Sequence, residues 1–203
     1  CYTLKHEYLC AGQKCRNVMG IRAERMTRMA TIEIKMLGGF EIRVNGKPVL
    51  AQLAQSRKAT ALVQYLVLRR GERVSHKVLT DTLWAGERST NPDMALRAIL
   101  HRFRLMIDAE GLDEMKDCIV DVFEVNDLSE LARKESDAEK RSRIYEQIVN
   151  LYDGRLLPQS ASEPWVESVS VRLHGQYRTA ILNLLELCKK WGESTRIVTL
   201  CTR

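Results

Sequence analysis

The chain has 203 residues, of which 45% are hydrophobic, so it is long enough to bury the core of one large domain or of two small ones. Lys and Arg number 32 against 26 Asp and Glu, and the formal charge of +6 favours an acidic partner such as DNA, RNA or an anionic membrane surface. No run approaches the roughly 18 consecutive apolar residues of a membrane span, and residues 1–30 lack an apolar signal core, which predicts a cytoplasmic protein without a membrane partner.

The excess positive charge is unevenly distributed. Lys and Arg clearly outnumber Asp and Glu over residues 1–109, whereas residues 110–167 are acidic. We therefore expect the basic partner surface in the first half of the chain, with a nucleic acid as its leading candidate.

The six cysteines are scattered and form no Cys-x-x-Cys pair of the kind that binds zinc. They are interpreted as free thiols, with Cys118 and Cys188 buried. Cys10, Cys15 and His6 leave a metal site open as an alternative, although their spacing is loose. The sequence thus predicts neither a metal nor a cofactor.

The first regular pattern in the chain predicts a small antiparallel sheet. Residues 1–29 show no clear periodicity and are interpreted as a disordered leader. Hydrophobic and polar residues then alternate over residues 31–36 and 40–44, as in strands with one buried face. The pair Asn45-Gly46 is a strong signal for a type I′ hairpin turn.

Three helical patterns follow, over residues 56–69, 75–84 and 91–108. Ser75 can cap the second helix, and Asn91-Pro92 is a good pair of cap and first-turn residues for the third. The side chains predicted to be buried are Ala59, Leu62, Val63 and Leu66 in the first helix, Val78, Leu79 and Leu83 in the second, and Leu96, Ile99, Phe103 and Met106 in the third.

The third helix carries cations on the face opposite its apolar residues. Arg97, His101 and Arg104 stack there, and Arg102 lies on the flank. A helix-turn-helix variant presents its recognition helix to the major groove in this way, and Arg can donate paired hydrogen bonds to a guanine edge or to a phosphate. Periodicity alone leaves an ordinary solvated face open as the other interpretation.

The second half of the chain is helical almost throughout. An extended run over residues 118–125 is predicted to end the first module, and helices are predicted over residues 127–135, 137–152 and 165–190, with a further one beginning at Ser194. Antiparallel helix pairs are typical of helical repeats. The last repeat is expected to be incomplete.

Several short motifs occur in a fixed order over residues 31–203. The motifs are Met36-Leu37-Gly38-Gly39-Phe40, Arg57-Lys58, Val74-Ser75, Leu83-Trp84, Ala95-Leu96-Arg97, Arg102-Phe103-Arg104, Tyr152-Asp153-Gly154-Arg155-Leu156-Leu157-Pro158 and Glu163-Pro164-Trp165-Val166-Glu167. Together they resemble the SARP-like bacterial transcriptional regulators, in which an OmpR/PhoB-type winged-helix domain precedes a tetratricopeptide-like bacterial transcriptional activation domain.

The resemblance implies an α+β winged helix-turn-helix domain over residues 30–125 and a truncated all-α domain over residues 126–203. It implies sequence-specific binding to double-stranded promoter DNA, often at direct repeats and as a homodimer, and recruitment of RNA polymerase. The positions of the family's recognition helix fall on Arg97, His101, Arg102 and Arg104.

Four further cations lie at predicted helix starts. They are candidates for phosphate contacts, since helix N-termini and cations both suit an anion, and plain surface charge is the alternative. These residues are Arg57 and Lys58 in the first helix and His76 and Lys77 in the second.

The sequence departs from the family between the third helix and the activation domain. A β-hairpin wing with a Gly-Tyr turn is expected there, but only residues 111–125 are available, and residues 118–123 suffice for one strand. We therefore predict a shortened wing.

The sequence gives less support to other functions. The four histidines are dispersed and no Gly-rich phosphate loop is present, so an enzyme is not expected. RNA binding would favour aromatic residues interleaved with the cations, and the basic face lacks such aromatic residues. The main alternative is a protein-interaction scaffold in which the helical half binds peptides and the first half does not bind DNA.

Overall fold

The computed structural model describes residues 31–49, 56–70, 72–86, 91–109 and 117–201. Its strands are β1 Thr31–Lys35, β2 Glu41–Val44, β3 Lys47–Pro48 and β4 Asp117–Val120. Its helices are α1 Arg57–Leu68, α2 His76–Leu83, α3 Pro92–Ala109, α4 Asp121–Lys134, α5 Ala138–Leu151, α6 Pro164–Trp191 and α7 Ser194–Cys201, with a short 3-10 turn at Pro158–Ser160.

The chain divides into two units. Unit 1 holds the described residues up to Glu33 and those of Ile42–Ile119, and unit 2 holds Ile34–Glu41 and the described residues from Val120 onward. The assignment of Ile34–Glu41 to the second unit is a feature that the sequence did not indicate. None of the described helices is both long and apolar enough to cross a membrane.

The predicted hairpin is confirmed. The sheet has the strand order β3-β2-β1-β4, and β2 and β3 pair antiparallel with Val44 opposite Lys47. Asn45 and Gly46 both have positive φ, 51° and 77°, as a type I′ turn requires. This turn matches the twist of the two strands that it joins.

All three helices of unit 1 begin where the sequence predicts, because a side chain satisfies a free backbone N–H group in the first turn of each helix. Ser56 Oγ accepts from Ala59 N at 3.3 Å, Ser75 Oγ accepts from Val78 N at 3.3 Å, and Asn91 Oδ1 accepts from Met94 N at 3.0 Å.

In α1 and α2, the core of unit 1 follows the predicted pattern with one error. The four predicted residues of α1 are buried, as are Leu79 and Leu83 of α2. Val78 is 44% exposed, because the buried face of α2 is centred on Leu79, Thr80 and Leu83 and leaves Val78 on its edge.

The predicted extended run over residues 118–125 is wrong in its second half. The strand ends at Val120 and α4 begins at Asp121, where Asp121 Oδ1 accepts from Val122 N at 2.7 Å. Val122, Val125 and Leu128 are buried at a spacing of three residues, which is a helical period. The apolar residues that mimic a strand in the sequence are the first buried turn of a helix.

The helices of unit 2 otherwise agree with the predictions. Asp137 Oδ1 caps α5 by accepting from Glu139 N at 2.9 Å and Lys140 N at 3.0 Å. The long helix α6 ends at Gly192, which has a φ of 71° in the left-handed region that glycine adopts readily. The buried residues of α6 are Val166, Leu173, Ala180, Leu184, Leu187 and Cys188.

Two motifs far apart in the sequence meet inside unit 2. Gly38 N donates to Arg155 O at 3.0 Å, and Leu157 N donates to Met36 O at 2.8 Å. Leu37 and Leu156 form an antiparallel bridge, and both side chains are fully buried. The segment that follows β1 is thereby part of the core of the helical unit.

Candidate nucleic-acid interface

Helix α3 has a buried face and an exposed face. Leu96 is fully buried and Leu100, which was not predicted to be buried, is 9% exposed. Ile99 and Phe103 were predicted to be buried but are half-buried, because the buried face of α3 is centred on Leu96 and Leu100. Met106 was predicted to be buried as well, but its side chain lies outside the described residues. Because these apolar residues recur every three or four positions, they share one side of α3, and the other side faces solvent.

The exposed face carries the four predicted recognition residues, Arg97, His101, Arg102 and Arg104. Among the described residues, none of these side chains has a hydrogen-bond or ion-pair partner. Arg97 and Arg104 lie seven residues apart, a rise of about 10 Å, or about three base-pair steps. The arrangement gives a row of cations that can donate to an anionic surface without first breaking an internal contact.

The four candidate phosphate contacts differ in their surroundings. Arg57 and Lys77 are exposed and have no ion-pair partner in the part of the chain that the structure describes. Lys58 and His76 are half-buried and are held by neighbouring helices. The first pair can contact a phosphate directly, whereas the second pair is already engaged.

Lys58 connects the start of α1 with the end of α2. Its ammonium group donates to the carbonyl oxygen of Leu83 and lies 5.5 Å from the ring centroid of Trp84. A cation at a helix C-terminus interacts favourably with the helix dipole, and the aromatic face adds a cation–π contact. These contacts set where α1 and α2 meet.

His76 connects the first turns of α2 and α3. Its Nδ1 lies 3.1 Å from Asp93 Oδ1, while its Nε2 is buried and has no partner among the described residues. Asp93 belongs to the first turn of α3, where the helix dipole favours a negative charge. The contact fixes the N-terminal end of α3, and the sequence could not identify it because the two residues lie on different helices.

Two large apolar side chains on α3 were not predicted to be exposed. Met94 is 64% exposed and Leu105 is 55% exposed, on the same side of the helix as Arg97 and His101. A helical projection of the sequence would have placed both beside the cations. The prediction considered only charged residues on this face.

Among the described residues, no group of three or more His, Cys, Asp or Glu side chains could hold a metal ion. Cys188 is buried as predicted, and Cys118 is only half-buried. Burial raises the pKa of the Cys118 thiol, which Arg70 partly opposes. The alternative site at His6, Cys10 and Cys15 lies outside the described residues.

No family model and no curated protein sequence matches the chain. Among solved structures, the chain is similar to Mycobacterium tuberculosis EmbR in complex with low affinity phosphopeptide, with a TM-score of 0.68 and 17% sequence identity. The match covers 84% of this chain and 48% of that chain, so this protein spans about half the length of EmbR. The likeness supports the predicted fold, a winged-helix domain followed by a helical domain.

Proposed function

We propose that this protein is a sequence-specific DNA-binding transcriptional regulator, and an activator, that inserts α3 into the major groove. The observation that carries the proposal is the row of exposed cations on α3, which have no partner among the described residues. A buried opposite face holds the row in place. A second support is the likeness in fold to EmbR.

In this proposal Arg97, His101 and Arg104 approach base edges, and Arg102 contacts a phosphate. Phosphate contacts at the helix starts come chiefly from the other exposed cations, Arg57 and Lys77. Lys58 and His76 belong to the same helix starts but act mainly as positioning residues, because each ties two helices together.

The two domains have separate tasks in this proposal. Residues 30–125 bind promoter DNA, as a homodimer at direct repeats, through a module whose wing is short. Residues 110–116, where most of a wing would lie, are outside the described residues. Residues 126–203 contact RNA polymerase. The fold resemblance to SARP-like regulators supports this division.

Arg97→Ala tests the base contact. A true bidentate contact to a guanine edge is worth roughly 1 to 3 kcal/mol, so affinity for the preferred duplex should fall about 5- to 150-fold, and selectivity at one base pair should relax. Binding of parent and variant to the preferred duplex and to its single-base-pair variants would be compared by fluorescence anisotropy.

Arg172→Ala is the matched control, since Arg172 is an exposed cation of α6 in unit 2. Its affinity should change little. If Arg97→Ala binds as tightly as the parent and keeps the same base preferences, Arg97 is not part of the readout. If neither protein distinguishes any duplex from random DNA, the protein-interaction scaffold becomes the better account.

A further inference from the structure

An apolar stripe runs along the exposed face of α3 beside its cations. Met94 is 64% exposed, Leu105 is 55% exposed, and Ala98 is exposed between them. The helical repeat of about 100° per residue brings these three positions within about 40° of one another around the axis. Arg97 and His101 lie next to the stripe on the same face.

The stripe contributes nothing to the core of unit 1, because its larger side chains point to solvent. Single exposed apolar residues are common on proteins, but here they share one face of one helix. Among the described residues of unit 1, the other large apolar side chains that are exposed are Val78 on α2 and Ile119 on β4. The exposed apolar side chains of α3 thus lie on the face that is proposed to contact DNA.

The neighbouring charges indicate what covers the stripe. Arg97 lies one helical turn from Met94 on one side of the stripe, and Arg102 lies one turn from Ala98 on the other side, so a complementary partner surface is apolar in its middle and acidic at its margins. The major groove has this pattern where a thymine 5-methyl group lies on its floor and phosphates line its edges. An apolar protein surface lacks the acidic margin.

We infer that Met94 and Ala98 are specificity-determining residues that read thymine through its 5-methyl group. This inference rests on the proposed function and adds to it the base that the apolar stripe selects. Arg97 binds a guanine edge next to the contacted thymines. The operator accordingly contains thymines at fixed positions relative to the base pair that Arg97 contacts.

The spacing of the two side chains predicts the spacing of the thymines. Met94 and Ala98 are one helical turn apart, a rise of about 6 Å, which equals about two base-pair steps. Both lie in the N-terminal half of α3, the part of a recognition helix that comes nearest to base edges. Two methyl-sensitive positions about two base pairs apart are expected.

Replacement of thymine by uracil tests this directly, since uracil keeps every hydrogen-bonding group and lacks only the methyl. The full chain would first select its preferred duplex from random DNA, and each thymine would then be replaced singly by deoxyuridine. Loss of a buried methyl should weaken binding about three- to fivefold at each of the two positions. All other thymines should tolerate the change.

Met94→Ala links the effect to the side chain. In this variant the uracil-to-thymine ratio of dissociation constants should fall to about one at one of the two positions and stay unchanged at the other. Val78→Ala, which truncates an exposed apolar residue of α2, should preserve both ratios. Because Met94 is exposed, the variant should fold, which its thermal unfolding would verify.

Several results would overturn the inference. One is sequence-selective binding that is insensitive to uracil at every thymine; this would leave the proposed function standing and assign the stripe to a protein partner. A second is a Met94→Ala variant that keeps both ratios. Failure to select any duplex at all would end the proposed function itself, so the two failures are distinguishable.

Discussion

Asp121 is the side chain that joins the start of α4 to the segment Ile34–Glu41. Its Oδ2 accepts from Met36 N and Leu37 N, both at 2.8 Å, and its Oδ1 accepts from Val122 N. Burial raises the pKa of this carboxyl group, and the three backbone hydrogen bonds oppose the shift. A single carboxylate therefore satisfies three N–H groups that water reaches poorly.

Asp121→Ala should lower the free energy of unfolding by about 2 to 4 kcal/mol, because it leaves buried donors unpaired. Asp137→Ala is the matched comparison: Asp137 also accepts from two backbone N–H groups, but it is exposed, and its loss should cost about 1 kcal/mol. Urea denaturation of both variants measures the difference. Equal losses would mean that burial adds nothing to the role of Asp121.

At the residue scale, short-range patterns were predictable and long-range partners were not. Ser56, Ser75 and Asn91 cap helices through N–H groups three residues ahead, which a sequence pattern reveals. Asp121 reaches backbone groups 84 and 85 residues away. No local pattern contains that information.

At the scale of elements, the segment after β1 packs against the loop that follows α5. Gly38 has a φ of +75°, and a Cβ atom there would lie 2.4 Å from the backbone oxygen of Asp153. Gly154 has a φ of +128°, and a Cβ atom there would lie 3.2 Å from the Cα atom of Gly38. The two glycines allow two stretches of backbone to cross where any side chain would separate them.

Gly38→Ala should therefore destabilise the protein by about 2 kcal/mol or more, since it combines backbone strain with a clash against fixed backbone. Gly39→Ala is the control, because a Cβ there meets no atom within 4 Å and its backbone is unstrained. Its effect should be within about 0.5 kcal/mol. Thermal unfolding of the two variants measures the difference. Equal melting temperatures would contradict this account.

The helices were easier to predict than the segments between them. Each helix has a hydrophobic period and an end signal within its own sequence, and α1, α2 and α3 were placed almost to the residue. Residues 121–125 were predicted to be extended, and their β-branched residues Val122 and Val125 do favour strands. Tertiary burial against the other helices of unit 2 overrode that preference.

At the scale of the whole molecule, the two halves of the sequence are not independent folding pieces. A chain cut after residue 125 would end within α4 and would deprive Met36 and Leu37 of the Leu156–Leu157 segment that packs on them. Loss of DNA binding in such a truncation could follow from unfolding alone. The proposed recruitment of RNA polymerase is therefore better tested by surface substitutions in the full chain.

The charge distribution predicted the location of the candidate site, and the helical period predicted its four cations. The sequence did not reveal that Lys58 and His76 would be held by neighbouring helices, since both contacts join separate elements. The apolar stripe was missed for a different reason: a helical projection places Met94 and Leu105 beside the cations, but the exposed face was assigned from its charged residues alone.

The measurement that tests the central claim most directly is a fluorescence-anisotropy titration of the full chain against random duplex DNA at several salt concentrations, followed by sequencing of the retained fraction. The account predicts affinity that falls steeply with salt, with a log–log slope of about −0.9 for each phosphate neutralised, and an enriched motif, preferably a direct repeat. Weak binding that is insensitive to salt and enriches no sequence would contradict it.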